Sequence, residues 1–484
     1  MTGKTTKGKK FVKDLGIYTI GNIGSKLVTF LLVPLYTFFI PDPSSFGYYD
    51  VCLNTIFCLI PIIGMQLTDG SFRFLIDNKD ATRRKDVITF VYKALIRNSL
   101  IAIAIGVTVA CIFDIKYLWL SIGLGLAQTF YDVMLQVVRG LGHTKRFMTA
   151  GIINAFLIAI ISFLLIAVLN FGIPGIFISN IASRLLTVAI MDCSLGITRK
   201  YFSLKAVNKK LNHKIYRYCL PLIPSALCWW FITGNNLYFL QYFSGLNATG
   251  LYGFVGRFTG ILYILCFIFY QTWQQNAIEQ YNSPDRDEFF SNIFNNYLYL
   301  LTGLTICFPF ALRLVYPWII GAEFQTSDQY LFAGSIYVMI SALASFFEIG
   351  YQCSKQTKRI LPSLCIAILI NLTCNYFFVQ WWSIYGIIFS NILTWIAMLI
   401  YRAIDTRKFM KISFHRIGLL TVPLLIIFCI IYQTTSSAIS DIISISAFLI
   451  VYVIFMPSQF KQAILRLAHH NKTQQSTICE DDEI

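Results

Sequence analysis

Apolar runs of about 20 residues recur along almost the whole chain, and that recurrence decides the fold class before any other feature is read. Such a run crosses a hydrocarbon core about 30 Å thick at about 1.5 Å per residue. Only 13% of the residues are charged and 56% are hydrophobic, where a soluble domain carries about 25% charge. No run of polar sequence is long enough for a separate soluble domain. The first 14 residues hold five lysines, but the apolar run from Leu15 to Ile40 is too long for a signal peptide and has no small-residue cleavage site. It is expected to be the first spanning helix. The 13 cysteines are scattered without a C-x-x-C pair, so neither a disulfide framework nor a metal site is expected.

Fourteen helices are expected, near 15–39, 47–68, 88–112, 117–138, 147–169, 173–194, 216–242, 248–272, 291–315, 328–350, 360–380, 383–402, 416–434 and 438–456. Pro34, Pro61, Pro221, Pro224, Pro309 and Pro423 fall inside spans, where neighbouring helices can satisfy the freed carbonyls. Of the 39 lysines and arginines, 32 fall in the tails and alternate connections on the side of the N-terminus, and only Lys116 and Arg313 on the other. This asymmetry predicts two cytoplasmic termini. It also disposes of nucleic acid as a partner for a chain of net charge +16, because the basic residues flank spans instead of forming a patch.

The sequence repeats itself. Gly175-Ile176-Phe177-Ile178-Ser179-Asn180-Ile181 in span 6 returns 211 residues later as Gly386-Ile387-Ile388-Phe389-Ser390-Asn391-Ile392 in span 12. Phe130-Tyr131-Asp132, followed by Gln136 and Arg139, matches Phe346-Phe347-Glu348, followed by Gln352 and Lys355, and each then reaches Thr-Lys-Arg. Chance similarity among apolar helices is the plain alternative, but the two matches agree in order and register. A repeat six spans apart keeps its orientation, so the halves are parallel. The expected organisation is a basic N-terminus (1–14), a six-helix lobe (15–194), a linker (195–215), a second six-helix lobe (216–402), two further helices with their preceding loop (403–456) and a tail (457–484).

Charges deep in a bilayer cost at least about 2.5–3.5 kcal/mol each on insertion scales and usually face a cavity or a partner. Lys26, Arg184 and Arg257 sit about 14–17 Å into their spans, near the midplane, and Arg97 is nearly as deep. Asn22 shares a helix face with Lys26, and Asn180 with Arg184. Such stripes line water or glue helices together; both readings stand. Asp132 and Glu348 lie nearer the cytoplasmic mouth, with Gln136 and Gln352 one turn further on. They read either as intrahelical acid-to-base pairs with Arg139 and Lys355, or as gating or ion-coupling carboxylates. The glycine-containing stretch Arg139 to Arg146 lacks the spacing of a phosphate loop. The connections are too short for a catalytic domain, so no enzyme activity and no cofactor are expected.

The run Gly21-Asn22-Ile23-Gly24-Ser25-Lys26 leading to Pro34, then Phe46-Gly47-Tyr48-Tyr49, Asp69-Gly70-Ser71-Phe72-Arg73-Phe74 and Gly250-Leu251-Tyr252-Gly253, resembles the polysaccharide-biosynthesis branch of the multidrug/oligosaccharidyl-lipid/polysaccharide exporter superfamily, the O-antigen and capsule flippases. The similarity covers roughly residues 12–455. It implies an all-α polytopic membrane protein whose two six-helix lobes surround a central cavity that opens alternately to each side, with two C-terminal helices added. The implied cargo is an undecaprenyl-diphosphate-linked oligosaccharide moved between leaflets of a bacterial inner membrane, with membrane lipids and other polysaccharide assembly proteins as partners. A proton or sodium gradient is the candidate energy source. The rivals are an ion-coupled drug or metabolite exporter of the same superfamily and a membrane-embedded sugar polymerase.

Overall fold

A computed structural model of the chain describes residues 32–76, 80–203, 209–413, 416–435 and 437–454. Among these residues all regular structure is helical. In chain order the helices are α1 (residues 32–39), α2 (Pro43–Ile63), α3 (Leu67–Ile76), α4 (Ala81–Ile112), α5 (Leu118–Gly140), α6 (Thr144–Ser162), α7 (Gly172–Leu195), α8 (Ile197–Tyr201), α9 (Lys209–Cys219), α10 (Leu222–Thr233), α11 (Asn235–Gln280), α12 (Arg286–Ile319), α13 (Leu331–Cys353), α14 (Ile360–Asp405), α15 (Arg416–Thr434) and α16 (Ala438–Ile454).

Nine helical stretches among the described residues are long and apolar enough to cross a membrane, and two shorter apolar helices, Leu420–Thr434 and Ala438–Ile454, follow. Two of the nine are hairpins. In α14, Asn371 Nδ2 donates to Asn391 Oδ1 at 3.2 Å, although 20 residues of straight helix would separate them by about 30 Å. The chain therefore reverses at Ser383 (φ 47°, ψ −119°). In α11, Asn236 and Tyr252 both bond Asn391, so that helix reverses at Gly245, whose φ of 84° suits a residue without a Cβ. With each hairpin counted as two spans, the nine stretches and the two shorter helices make thirteen spans among the described residues, and α1 lies at the end of the expected first span, most of which is outside the described residues.

Polar caps carry helices beyond the apolar runs. α4 starts at Ala81, not near 88, because Asp80 accepts from the Thr82 amide at 3.3 Å. Asp42 caps α2 by accepting from the Ser44 and Ser45 amides at 3.0 Å each, with Pro43 in the first turn. Expected span 2 is broken between α2 and α3, where Met65 and Gln66 take positive φ. Asn98 of α4 donates to the Ile63 carbonyl at 2.9 Å and so satisfies backbone that the break exposes. Expected span 7 is likewise interrupted, at Pro221 and at Gly234.

The helices group into two compact units. One takes in the described residues up to Ile268, with Pro317–Ser327 and Leu364–Thr394. Its apolar core includes Leu67, Val87, Val91, Val133 and Val137, and α9 joins it by burying Ile215 and Cys219. Gly70 makes room there, since an added Cβ would collide with the Cys219 sulfur. The second unit comprises Phe269–Tyr316, Asp328–Ser363 and the residues from Trp395 onward. Trp273 is fully buried in it, stacked 4.4 Å from Phe346. α15 and α16 attach through Phe310, Phe332, Phe428, Tyr432 and Phe448, and through Arg313, which donates from Nε to Asp441 Oδ2 at 2.8 Å. Large apolar side chains point away from these cores, among them Leu100, Ile105 and Ile112 of α4 and Ile439, Ile450 and Ile454 of α16. A water-soluble surface does not carry such bands; lipid covers them.

Candidate functional site

Within the first unit, α2 and the second arm of α11 run parallel and touch backbone to backbone. A Cβ on Gly47 would strike the Leu246 carbonyl oxygen and one on Gly250 the Pro43 carbonyl oxygen, so only glycines allow the approach. One turn further along α2 and two turns further along α11, Arg257 Nη2 donates to Asp50 Oδ1 at 2.6 Å. Asp50 fits because Gly253 has no side chain where its Oδ2 lies. The Arg257 guanidinium also lies over the rings of Phe254, at 4.4 Å, and Phe46, at 5.7 Å. Around this crossing, Asn54 Nδ2 donates to the Gly234 carbonyl at 2.6 Å, and the Thr55 and Tyr238 hydroxyls lie 2.6 Å apart.

Arg184, on α7, is held by neutral groups. Its Nη1 donates to the carbonyl and side-chain oxygens of Asn180 at 2.8 and 2.7 Å, and its Nε donates to Gln128. The Gln128 amide then donates to Asp132 Oδ1 at 2.8 Å. Arg184 and Asp132 are thus joined through one carboxamide. Arg139 instead stacks over Phe72 at 4.4 Å, which replaces the intrahelical pair expected for Asp132. Tyr36 and Tyr49 lie within electrostatic range of both the Arg184 and the Arg257 guanidinium groups. Arg97 has other company, donating to Asn98 and to the Tyr216 hydroxyl of α9, both at 2.9 Å. Lys26 and Asn22 lie outside the described residues.

Five buried asparagines form an amide cluster that joins α11 to both arms of α14. Asn375 Nδ2 donates to Asn235 at 2.7 Å and Asn236 at 2.8 Å, Asn235 to Asn371 at 2.8 Å, and Asn236 to Asn391 at 3.1 Å. At about 0.6 kcal/mol for each interhelical bond in a membrane, these four contribute about 2 kcal/mol.

In the second unit, Glu348 also departs from the intrahelical expectation. Its Oε2 accepts from Arg402 Nη1 at 2.8 Å, and Arg402, read from sequence as part of a basic connection, is fully buried. Gln352 accepts from Gln274 at 2.6 Å and donates to the Tyr270 hydroxyl at 3.1 Å. Gln136 is half-buried on α5. Among the described residues no group of three or more His, Cys, Asp or Glu side chains is placed to hold a metal ion.

Three features were not read from sequence. Asp50 sits only three residues inside expected span 2, and Arg402, the last residue of expected span 12, was counted with the basic connection that follows it. The amide cluster had a signal that went unused: Asn371 and Asn375 share a helix face at i, i+4, and Asn235-Asn236 is an adjacent pair in an apolar span.

The described helices, with their broken and hairpinned spans, take a fold shared with solved proteins of the multidrug/oligosaccharidyl-lipid/polysaccharide (MOP) superfamily. The chain is similar to the lipid II flippase MurJ in an inward closed conformation, with a TM-score of 0.69 and 15% identity over 93% of this chain and 99% of that one. It is also similar to an inward-facing multidrug resistance MATE family transporter, at TM-score 0.65 and 14% identity over 82% of this chain and 98% of that one. A MOP superfamily transporter from Pyrococcus furiosus gives a TM-score of 0.54 and 15% identity over 83% and 96%. Identities this low carry the fold alone. The polysaccharide biosynthesis protein family matches residues 11–273, and the chain belongs to that family. No curated protein matches the sequence.

Proposed function

We propose that this chain is a flippase that carries an undecaprenyl-diphosphate-linked oligosaccharide from the inner to the outer leaflet of a bacterial cytoplasmic membrane by alternating access, in surface polysaccharide biosynthesis such as O-antigen or capsule assembly. The observation that carries the reading is the placement of Arg184 and Arg257, half-buried about 18 Å along their helices, with Tyr36 and Tyr49 within electrostatic range of both. A guanidinium retained at that depth has a use for its charge. At an effective dielectric near 20, each cation 4 Å from a phosphate charge contributes about 4 kcal/mol toward the desolvation of a diphosphate. Lys26 and Asn22, Arg97 and Asn180 are assigned to the same basic path, with the sugar in a polar cavity and the polyprenyl tail left in lipid. Asp132 and Glu348, with Gln136 and Gln352, are assigned to gating or ion coupling, and a proton or sodium gradient supplies the energy.

Alternation comes from rocking of two parallel six-helix lobes, and the basic connections put both termini in the cytoplasm. The membership of a polysaccharide biosynthesis family and the MurJ-like fold favour this reading over a drug exporter, because a cationic drug would be repelled by arginines at mid-span. The test is the variant Lys26→Gln with Arg257→Gln, in cells where the lipid-linked sugar is assayed by leaflet. The sugar is expected to accumulate in the inner leaflet while the protein stays at normal abundance. Normal translocation by that variant refutes the cationic assignment.

A further inference from the structure

Asp50 is the one charged group at the α2–α11 crossing to which the flippase reading gives no task, and its bonding is half made. Arg257 Nη2 serves Asp50 Oδ1 at 2.6 Å, yet Oδ2 of the carboxylate and Nη1 of the guanidinium are both buried without a hydrogen-bond partner. A guanidinium with an unused donor is better matched by a phosphate, whose several acceptors can take both Nη atoms in a fork, than by a carboxylate reached through one bond. The pair is also mechanical. It bridges two helices whose backbones meet at Gly47 and Gly250, next to the Asn54–Gly234 and Thr55–Tyr238 contacts. Whatever draws Arg257 away removes the charged bond across that crossing.

We propose that Asp50 is a built-in stand-in for the anionic cargo, occupying Arg257 while the site is empty and holding the α2–α11 crossing shut until a phosphate of the cargo takes the guanidinium. The inference rests on the flippase reading and adds to it the residue through which cargo binding reaches the helices. Exchange moves Arg257 from one anion to another, so its charge is never left bare, and the released Asp50 meets water as the crossing loosens. An empty carrier is thereby kept from opening idly. It also binds a free anion less tightly than a bare guanidinium would, because its guanidinium is already neutralised.

The test uses the full-length protein in liposomes, on a cysteine-free background carrying Thr55→Cys and Tyr238→Cys. A short bifunctional thiol reagent reports whether the crossing is closed, and binding of inorganic pyrophosphate is measured in parallel. In the parent, crosslinking is expected to be high and to fall when pyrophosphate is added. Asp50→Asn is expected to crosslink poorly without any ligand and to bind pyrophosphate about tenfold more tightly, a coupling of ordinary size. The exchanged pair Asp50→Arg with Arg257→Asp is expected to restore crosslinking and to lose the response to pyrophosphate. If the parent and Asp50→Asn crosslink alike and bind pyrophosphate equally well through Arg257, the cargo reading stands and the stand-in role is overturned. If neither binds pyrophosphate in an Arg257-dependent way, the cargo reading itself fails, and this inference with it.

Discussion

Removing Arg402 together with Glu348 should cost no more than removing Arg402 alone. Arg402 is fully buried; its Nη1 bonds Glu348 at 2.8 Å and the Ala344 carbonyl at 3.2 Å, and its Nε bonds the Ser363 hydroxyl at 3.2 Å. Arg402→Met leaves a largely buried carboxylate with no counter-charge, and Glu348→Gln leaves a buried guanidinium in the same position. Breaking one side of such a pair costs about 3 kcal/mol or more. The double variant loses only neutral hydrogen bonds and the pair itself, again about 3 kcal/mol in all. The expected coupling is therefore about 3 kcal/mol, at the upper end of what neighbouring residues show. Reversible unfolding in mixed micelles of the parent, both single variants and the double variant closes the cycle. A coupling below about 0.5 kcal/mol would mean that the two side chains do not bond in the embedded protein. The double variant also separates two roles for Glu348: normal transport makes the carboxylate a fastener of α13 to α14, and lost transport in a stable protein favours a gate.

Asp441→Ala should strand Arg313 under α15 and α16 and cost about 3 kcal/mol locally; faster hydrogen exchange over residues 420–454, with little change in α4 and α5, is the expected signature. Asp42→Ala should cost about 1 kcal/mol at neutral pH through the lost cap on α2. The hydroxyl of Ser45, then the amides of Ser44 and Ser45, hold the Asp42 carboxyl below its ordinary range. The cap therefore acts fully above about pH 3.9 and fades as pH falls through the lowered value, so exchange at the start of α2 should differ between parent and variant at pH 6 and converge in stronger acid.

Hydropathy made most of the fold legible because the constraint it expresses is local: a backbone in lipid must close its own hydrogen bonds, whatever its neighbours do. The repeat was legible for a related reason. Gly175 and Gly386 both carry a span close against the chain that precedes it, Gly175 against Leu165, Ile166 and Phe171, and Gly386 against the backbone of Phe378. Polar partners were harder to read, since a side chain's depth says that it needs company without naming it. Asn180 and Asn391 hold the same place in the repeat, yet one receives Arg184 and the other joins the amide cluster. Arg402 shows the limit most plainly: position at the end of an apolar run suggested a solvated loop, and only the packing of α13 and the first arm of α14 around it makes it a buried partner of Glu348.

The α2–α11 crossing joins these two levels. Phe46-Gly47-Tyr48-Tyr49 and Gly250-Leu251-Tyr252-Gly253 stand about 200 residues apart and were each informative alone, but together they are the two faces of one contact. Glycine at 47 and 250 sets how closely the helices approach, and Gly253 sets where the Asp50 carboxylate can go. Arg257, one turn beyond Gly253, then has a single direction in which to find an anion on α2. A side chain larger than hydrogen at any of the three glycines would part the helices and leave the carboxylate and the guanidinium in the membrane without each other. The spacing of small residues on two distant helices therefore fixes the position of a charge pair that neither helix specifies by itself.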